Sequence, residues 1–205
     1  MTRRERIRAA IAHRDIDFVP INVEMTSGFQ KNLADKVGAG NVDLALDNHM
    51  LRKKYKHNVK LENGDERDLF GVIWQTSKDG GDVGIVKTYP LEDGDFDGYQ
   101  FPGIDTDLAE SCLKTLEGEK DRYTMFSITM GFFERAWSLR GMENILVDML
   151  LEPKQTERLF EGIFEHHMKL LDYVLDRDFD AVYFGDDWGQ QQGLIMGPDM
   201  WRKYI

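Results

Sequence analysis

Cysteine is almost missing from this sequence: one residue, Cys112, among 205. A lone thiol excludes an internal disulfide and fits a reducing compartment, so a cytoplasmic location is expected. Long apolar runs are missing too. No stretch approaches the ~20 consecutive apolar residues of a bilayer-spanning helix, so no membrane association is expected. The opening Met1-Thr2-Arg3-Arg4-Glu5-Arg6 is basic, but no apolar segment follows it as in a secretory signal. Basic runs are lacking, against a formal net charge of −11. Such a surface repels phosphate backbones, which removes most of the driving force for nucleic-acid binding. It also opposes a polyanionic substrate unless local arginines intervene. The histidines show no metal-ligand spacing. His166 and His167 lie beside Glu165 with no partner four residues away, and they read as solvated or packed.

What is present is enough for one buried core: 41% hydrophobic residues in a single domain over 1–205. Thr2 and Glu5 form a capping box opening a helix to about His13, with Ile7, Ala10 and Ile11 inward. Phe18 to Val23 reads as a first strand, with Pro20 near its start. Gly28–Val37 and Asn41–Met50 read as short helices. Residues 55–102 change character: short β pieces separated by Gly and Asp suggest an antiparallel, β-rich insertion, with a turn at Glu62-Asn63-Gly64-Asp65 and another at Gly80–Gly84. After it, strands and helices alternate. A helix starts at Asp105 or Thr106, a strand covers Tyr123–Thr129, and helices span 132–139, 143–151 and 153–176. A strand covers Asp180–Phe184, and a last helix begins at Gly197-Pro198. The long helix presents Leu159, Phe160, Ile163, Phe164, Met168, Leu171, Val174 and Leu175 at three- and four-residue steps. This alternation predicts an α/β fold with a parallel sheet, of (β/α)8 TIM-barrel type, incomplete at four to five barrel strands. A small open sheet, complete as it stands, is the alternative. Exposed sheet edges of a partial barrel predict a homo-oligomer.

Reactive groups in parallel α/β folds gather beyond the C-terminal strand ends. Two such ends carry chemistry: Thr129 to Trp137, and Gly185 to Gly193. Asp186 and Asp187 adjoin an apolar strand. Paired carboxylates can raise one pKa toward general-acid use, or ligate a cation, or merely cap a helix. Glu134 falls in the first turn after a strand, where the helix dipole favours a carboxylate without any chemistry. Glu24 sits similarly after the first expected strand. Trp137, Trp188 and Gln191 could shape a pocket for a small-molecule substrate, although tryptophans are more often core. Cys112, without a neighbouring His, is a weak nucleophile candidate.

Several segments resemble the uroporphyrinogen decarboxylase-like superfamily. These are T-R-R-E-R-I-R-A-A-I-A-H-R-D-I-D-F-V-P-I, D-L-F-G-V-I-W-Q, F-F-E-R-A-W-S-L-R-G-M-E-N-I-L-V-D-M-L-L-E-P, and D-A-V-Y-F-G-D-D-W-G-Q-Q-Q-G-L-I-M-G-P-D-M-W-R-K-Y-I. The resemblance covers most of the chain, least well over 75–120. It implies a (β/α)8 barrel of which this is the N-terminal portion. Two chemistries come with it: decarboxylation of a porphyrinogen, and methyl transfer to or from a corrinoid or thiol, often with zinc. The decarboxylases carry an arginine-rich segment after the first strand. Here that place reads Ile21-Asn22-Val23-Glu24-Met25-Thr26-Ser27-Gly28, without arginine. The methyltransferase branch is therefore the expectation, acting on a small methyl donor or corrinoid, with a corrinoid protein as a candidate partner. Asp186, Asp187 and Glu134 would be its catalytic groups. Zinc or corrinoid ligands would lie beyond Ile205, and a non-catalytic, self-associating fragment is the third reading.

Overall fold

The computed structural model describes the whole chain except residues 39, 41 and 76–83, together with the side chain of Ser27. In chain order its elements are α1 (Arg3–Ile11), α2 (Ser27–Val37), α3 (Val42–Ala45), β1 (Met50–Tyr55), β2 (Asn58–Lys60), β3 (Glu66–Asp68), β4 (Ile73–Gln75) and β5 (Ile85–Thr88). Then follow α4 (Thr106–Gly118), β6 (Tyr123–Ile128), α5 (Phe133–Arg140), α6 (Met142–Leu151), α7 (Pro153–Val174), β7 (Ala181–Phe184), β8 (Gly189–Gln190), β9 (Gly193–Leu194) and α8 (Pro198–Tyr204).

The fold is mixed α/β. Strands β1, β6 and β7 form a parallel sheet in the order β1-β6-β7. A four-stranded antiparallel sheet runs β2-β3-β4-β5, and β8 with β9 makes a short hairpin. No closed barrel is formed by the described residues. Helix α4 buries Ala109, Cys112, Leu113 and Leu116, spaced as one helical face, against Tyr55, Phe126 and Ile128 of the parallel sheet. A second core joins Phe70, Val72 and Trp74 of the antiparallel region to Phe133, Leu139, Ile145 and Leu159 of α5, α6 and α7. Gly162 on α7 lies under Phe101, where an added Cβ would come within 2.2 Å of the ring. Among the described residues, no helix is long and apolar enough to cross a membrane.

Charged groups close the N-terminal ends of the parallel strands. The capping box at Thr2 and Glu5 forms and starts α1. Arg4 and Arg8 of this helix both pair with Asp180, whose side chain is 1% exposed and also accepts from the Thr124 amide at 2.7 Å. These hydrogen bonds outweigh the burial of Asp180 and hold its pKa below the usual carboxylate value. Arg6 donates to Asp17 and to His49 Nε2.

Several expectations change. Residues 18–23 form no strand: Pro20 has no amide hydrogen, and beside one backbone bond, from the His49 amide to Ile21 O at 3.0 Å, a side chain takes over, with the Val23 amide donating to Asn48 Oδ1 at 2.7 Å. The first parallel strand is instead β1, within and beyond the end of the helix expected over Asn41–Met50, of which only Val42–Ala45 is helical. Among the described residues three parallel strands result, not four or five. In α1 the buried face is Arg6, Ile7 and Ala9, because the arginine is wanted by Asp17; Ile11 is exposed. In α7, His166 and His167 are buried while Phe164 and Met168 face outward. The turn expected at Gly80–Gly84 falls, except for Gly84, outside the described residues.

Candidate functional site

A cavity of about 1040 Å³ opens at the C-terminal ends of the parallel strands, between them and the antiparallel sheet. Pairing fixes the rows of residues across the sheet, of which Arg52, Lys54 and Tyr183 reach the cavity. Lys54, Ser127 and Tyr183 stand in one row across β1, β6 and β7, and Arg52 with Met125 and Ala181 in the row below. Neighbouring residues along each strand point the other way, into the α4 core. Arg52 and Lys54 therefore bring positive charge to the cavity wall. Arg52 is held there by Glu24 and by the Tyr183 ring, 4.4 Å from its guanidinium carbon.

The turn after β6 is the most constrained part of the site. Met130 adopts φ 59°, unusual for a residue with a side chain. At Gly131 an added Cβ would meet the Asp186 Cβ at 3.0 Å, so a larger residue would push the two strand ends apart by a few tenths of an ångström. The Gly131 amide donates to Gly185 O at 2.8 Å. Helix α5 lacks a side-chain cap of its own. Asp186 supplies one from the neighbouring strand end, accepting from the amides of Phe132, Phe133 and Glu134 at 2.9, 2.9 and 2.7 Å. The Trp188 indole donates to the same carboxylate at 2.6 Å. Four donors thus occupy Asp186.

That arrangement delivers Glu134 into the cavity half-buried. Burial raises its pKa to about 7, with the charges of Asp187 and Asp186 adding to the effect and Arg135 opposing it. Asp187 is exposed at the rim. Behind Glu134, the His167 ring donates from Nε2 to Gly131 O at 3.2 Å, because a carbonyl can only accept. His167 Nδ1 is then a buried acceptor without a partner among the described residues. Burial lowers the His167 pKa to about 4, so the ring is neutral at physiological pH. His166 donates from Nδ1 to Pro102 O at 3.0 Å, and burial lowers its pKa as well.

The antiparallel sheet is fastened to α5 by one buried carboxylate. Asp68 accepts from the Phe70 and Val72 amides, both at 3.0 Å, from Trp74 Nε1 at 3.1 Å and from Arg135 Nη1 at 2.6 Å. The Arg135 guanidinium lies over the Phe70 ring at 4.1 Å. Trp137 meets Trp74 edge to face at 6.3 Å.

Of the residues singled out from the sequence, Glu134, Asp186, Asp187 and Trp137 line the cavity. Glu24, Trp188 and Gln191 do not. Glu24 reaches the site only through Arg52, Trp188 is turned onto Asp186 and Trp201, and Gln191 is exposed in the turn between β8 and β9. Arg52, Lys54, His57, Arg135, His166 and His167 are cavity residues the sequence reading did not select. The i, i+2 spacing of Arg52 and Lys54 was the available signal for the first two, since it marks one face of a strand.

The superfamily resemblance implies zinc. Among the described residues no three His, Cys, Asp or Glu side chains converge as metal ligands. Cys112 is buried on the far side of the sheet, its Sγ 3.7 Å from Lys54 O, and burial raises its pKa, which disfavours the thiolate a metal needs. These residues do not fit a zinc site, and no step is derived through one.

An α/β fold with a polar cavity at the carboxyl ends of its parallel strands is the class the geometry defines. Among solved structures it is similar to a methyltransferase from Methanosarcina mazei, with a TM-score of 0.68 and 17% sequence identity. The match covers 100% of this chain and 64% of that one, so the chain spans less than two thirds of its structural relative. No protein-family model matches the sequence, and no curated protein does.

Proposed function

We propose that this chain belongs to a methyltransferase-like enzyme of the uroporphyrinogen decarboxylase superfamily, built as part of a (β/α)8 barrel. Its reaction moves a methyl group from a small O- or N-methyl donor to a nucleophile, a corrinoid cobalt or a thiol. The supporting observation is Glu134, a carboxyl group that keeps its proton up to about pH 7 inside a cavity at strand ends. As the bond between methyl and leaving group breaks, its electron pair stays on the leaving oxygen or nitrogen. That atom takes the Glu134 proton, leaving a carboxylate. Asp187 keeps the pKa of Glu134 high, and Asp186 orients Glu134 by fixing the first turn of α5. The fold likeness to a methyltransferase supports the reading. The test is incubation of a panel of O- and N-methyl compounds with cob(I)alamin or with a thiol, watching for methylcobalamin absorbance or a methyl thioether. Neither product from any donor sinks the reading.

A second reading rests on a different observation. Arg52 and Lys54 put cations on the cavity floor, where a carboxylated substrate would bind in spite of the overall negative charge. Glu134 would then protonate the substrate ahead of carbon dioxide loss, as in porphyrinogen decarboxylation. Conversion of uroporphyrinogen to coproporphyrinogen would select this reading over methyl transfer.

A further inference from the structure

The cavity holds a second proton-transfer group that neither strand-end motif contains. His57 lies two residues beyond the end of β1 and lines the cavity about one-third exposed. Its Nδ1 donates to the Asp105 carboxylate, which can only accept in its ionised form. Asp105 is itself fixed: it caps α4 by accepting from the Leu108 amide at 2.9 Å, and its own amide donates to the Tyr55 hydroxyl. The Leu108 and His57 hydrogen bonds hold the Asp105 pKa low, so the partner stays charged. For the neutral ring one tautomer follows. Nδ1 carries the hydrogen, and Nε2 carries the lone pair.

We infer that His57, oriented by Asp105, is the base that takes the proton from the methyl acceptor when that acceptor is a thiol. This rests on the methyl-transfer reading of the same cavity. β1 and β6 are adjacent parallel strands, roughly 4.8 Å apart, so groups beyond their ends can reach one ligand. Glu134 follows β6 and His57 follows β1, giving an acid and a base on neighbouring strand mouths. In the step, the thiol S–H breaks and its proton moves to Nε2, forming an imidazolium facing Asp105. The sulfur pair attacks the methyl carbon, and the leaving atom takes the Glu134 proton. Both groups then reset by exchanging protons with water. The other histidines do not offer this. His49, His166 and His167 are buried, and His13 is exposed at the end of α1 with no carboxylate partner shown.

Two measurements on the intact chain test the inference. The first needs no substrate: acylation of histidines by diethyl pyrocarbonate at pH 8, mapped by peptide mass, with exposed His13 as internal reference. His57 should react several-fold faster than His13, and Asp105→Asn should remove the advantage while keeping the helix cap, since Asn caps as well as Asp. An unreactive His57, or a His57 that keeps its full rate advantage over His13 in Asp105→Asn, overturns the inference. The second is thiol-dependent demethylation by His57→Gln. Turnover should fall ~100-fold with a thiol that is protonated at the assay pH. The loss should shrink for thiols already ionised, and imidazole should restore His57→Ala. A His57→Gln enzyme as fast as the parent, or equally slow with every thiol, overturns it. If the parent moves no methyl group at all, methyl transfer is lost as the function, and the acylation result alone decides whether His57 is an activated base.

Discussion

The two ends of the parallel sheet use the same residue types to opposite effect. At the N-terminal end, Asp180 meets Arg4, Arg8 and the Thr124 amide, and Arg6 meets Asp17 and His49. Every one of those charges is matched. At the C-terminal end, Glu134 is half-buried beside two aspartates, and His167 Nδ1 has no partner among the described residues. Matched charges lower a carboxylate's pKa and hold elements together; unmatched ones raise it and leave proton-exchange capacity for a ligand. The difference separates structural from reactive polarity.

Glu134→Gln should give the largest effect. Turnover in the methyl-transfer assay falls ~10²–10⁴-fold, the range for a lost acid. Stability moves the other way. A carboxyl whose pKa is raised on folding contributes most below its unfolded value and loses that contribution as pH rises through the folded value near 7. Chemical denaturation should therefore show the variant more stable at pH 8 by roughly 1–2 kcal/mol, after allowing for partial exposure, with the gain fading toward pH 4. A variant less stable at pH 8 would place Glu134 with the matched charges.

Asp180→Ala comes next, at about 3 kcal/mol of lost stability, because it strands the largely buried Arg4 and the Thr124 amide, while exposed Arg8 returns to water. The parent protein should lose the same contribution in acid. A lowered carboxylate pKa gives stability that is present above the ordinary value and disappears as pH falls through the folded one.

Asp186→Ala probes the one residue that sits at the reactive end but is bonded like the other. It should destabilise by about 1–2 kcal/mol, as a lost helix cap does, with a near-ultraviolet change from released Trp188. Asp187→Asn should be mildest. It removes one of the charges that raise Glu134, so the alkaline limb of the pH–rate profile shifts downward and turnover at pH 7 drops roughly two- to three-fold. An upward shift would contradict the electrostatic account.

Much of the α/β alternation was legible because apolar periodicity reports burial directly, as in α4 and β6. The failures share a cause. β1 reads Met50-Leu51-Arg52-Lys53-Lys54-Tyr55, and its cavity face is cationic, so a hydrophobic pattern cannot reveal it. On α7 the inward His166 and His167 replace the expected Phe164 and Met168, because carbonyls of Pro102 and Gly131 each accept from one ring nitrogen. Those partners are 64 and 36 residues away and invisible to local spacing. Glu134 and the two aspartates were visible as strand-end residues. Which of them acts as cap and which as acid depended on where the α5 amides point.

Asp68 carries a consequence for how this architecture can be cut and recombined. Its carboxylate ties the antiparallel sheet to Arg135, one residue from Glu134, and does so in the buried interior. Excising the sheet to leave a minimal scaffold would leave a guanidinium stranded without its counter-ion, directly behind the acid. The sheet and the strand ends beneath it are therefore inherited as one unit. A graft that moves the reactive turn into another scaffold must carry residues 66–74 with it.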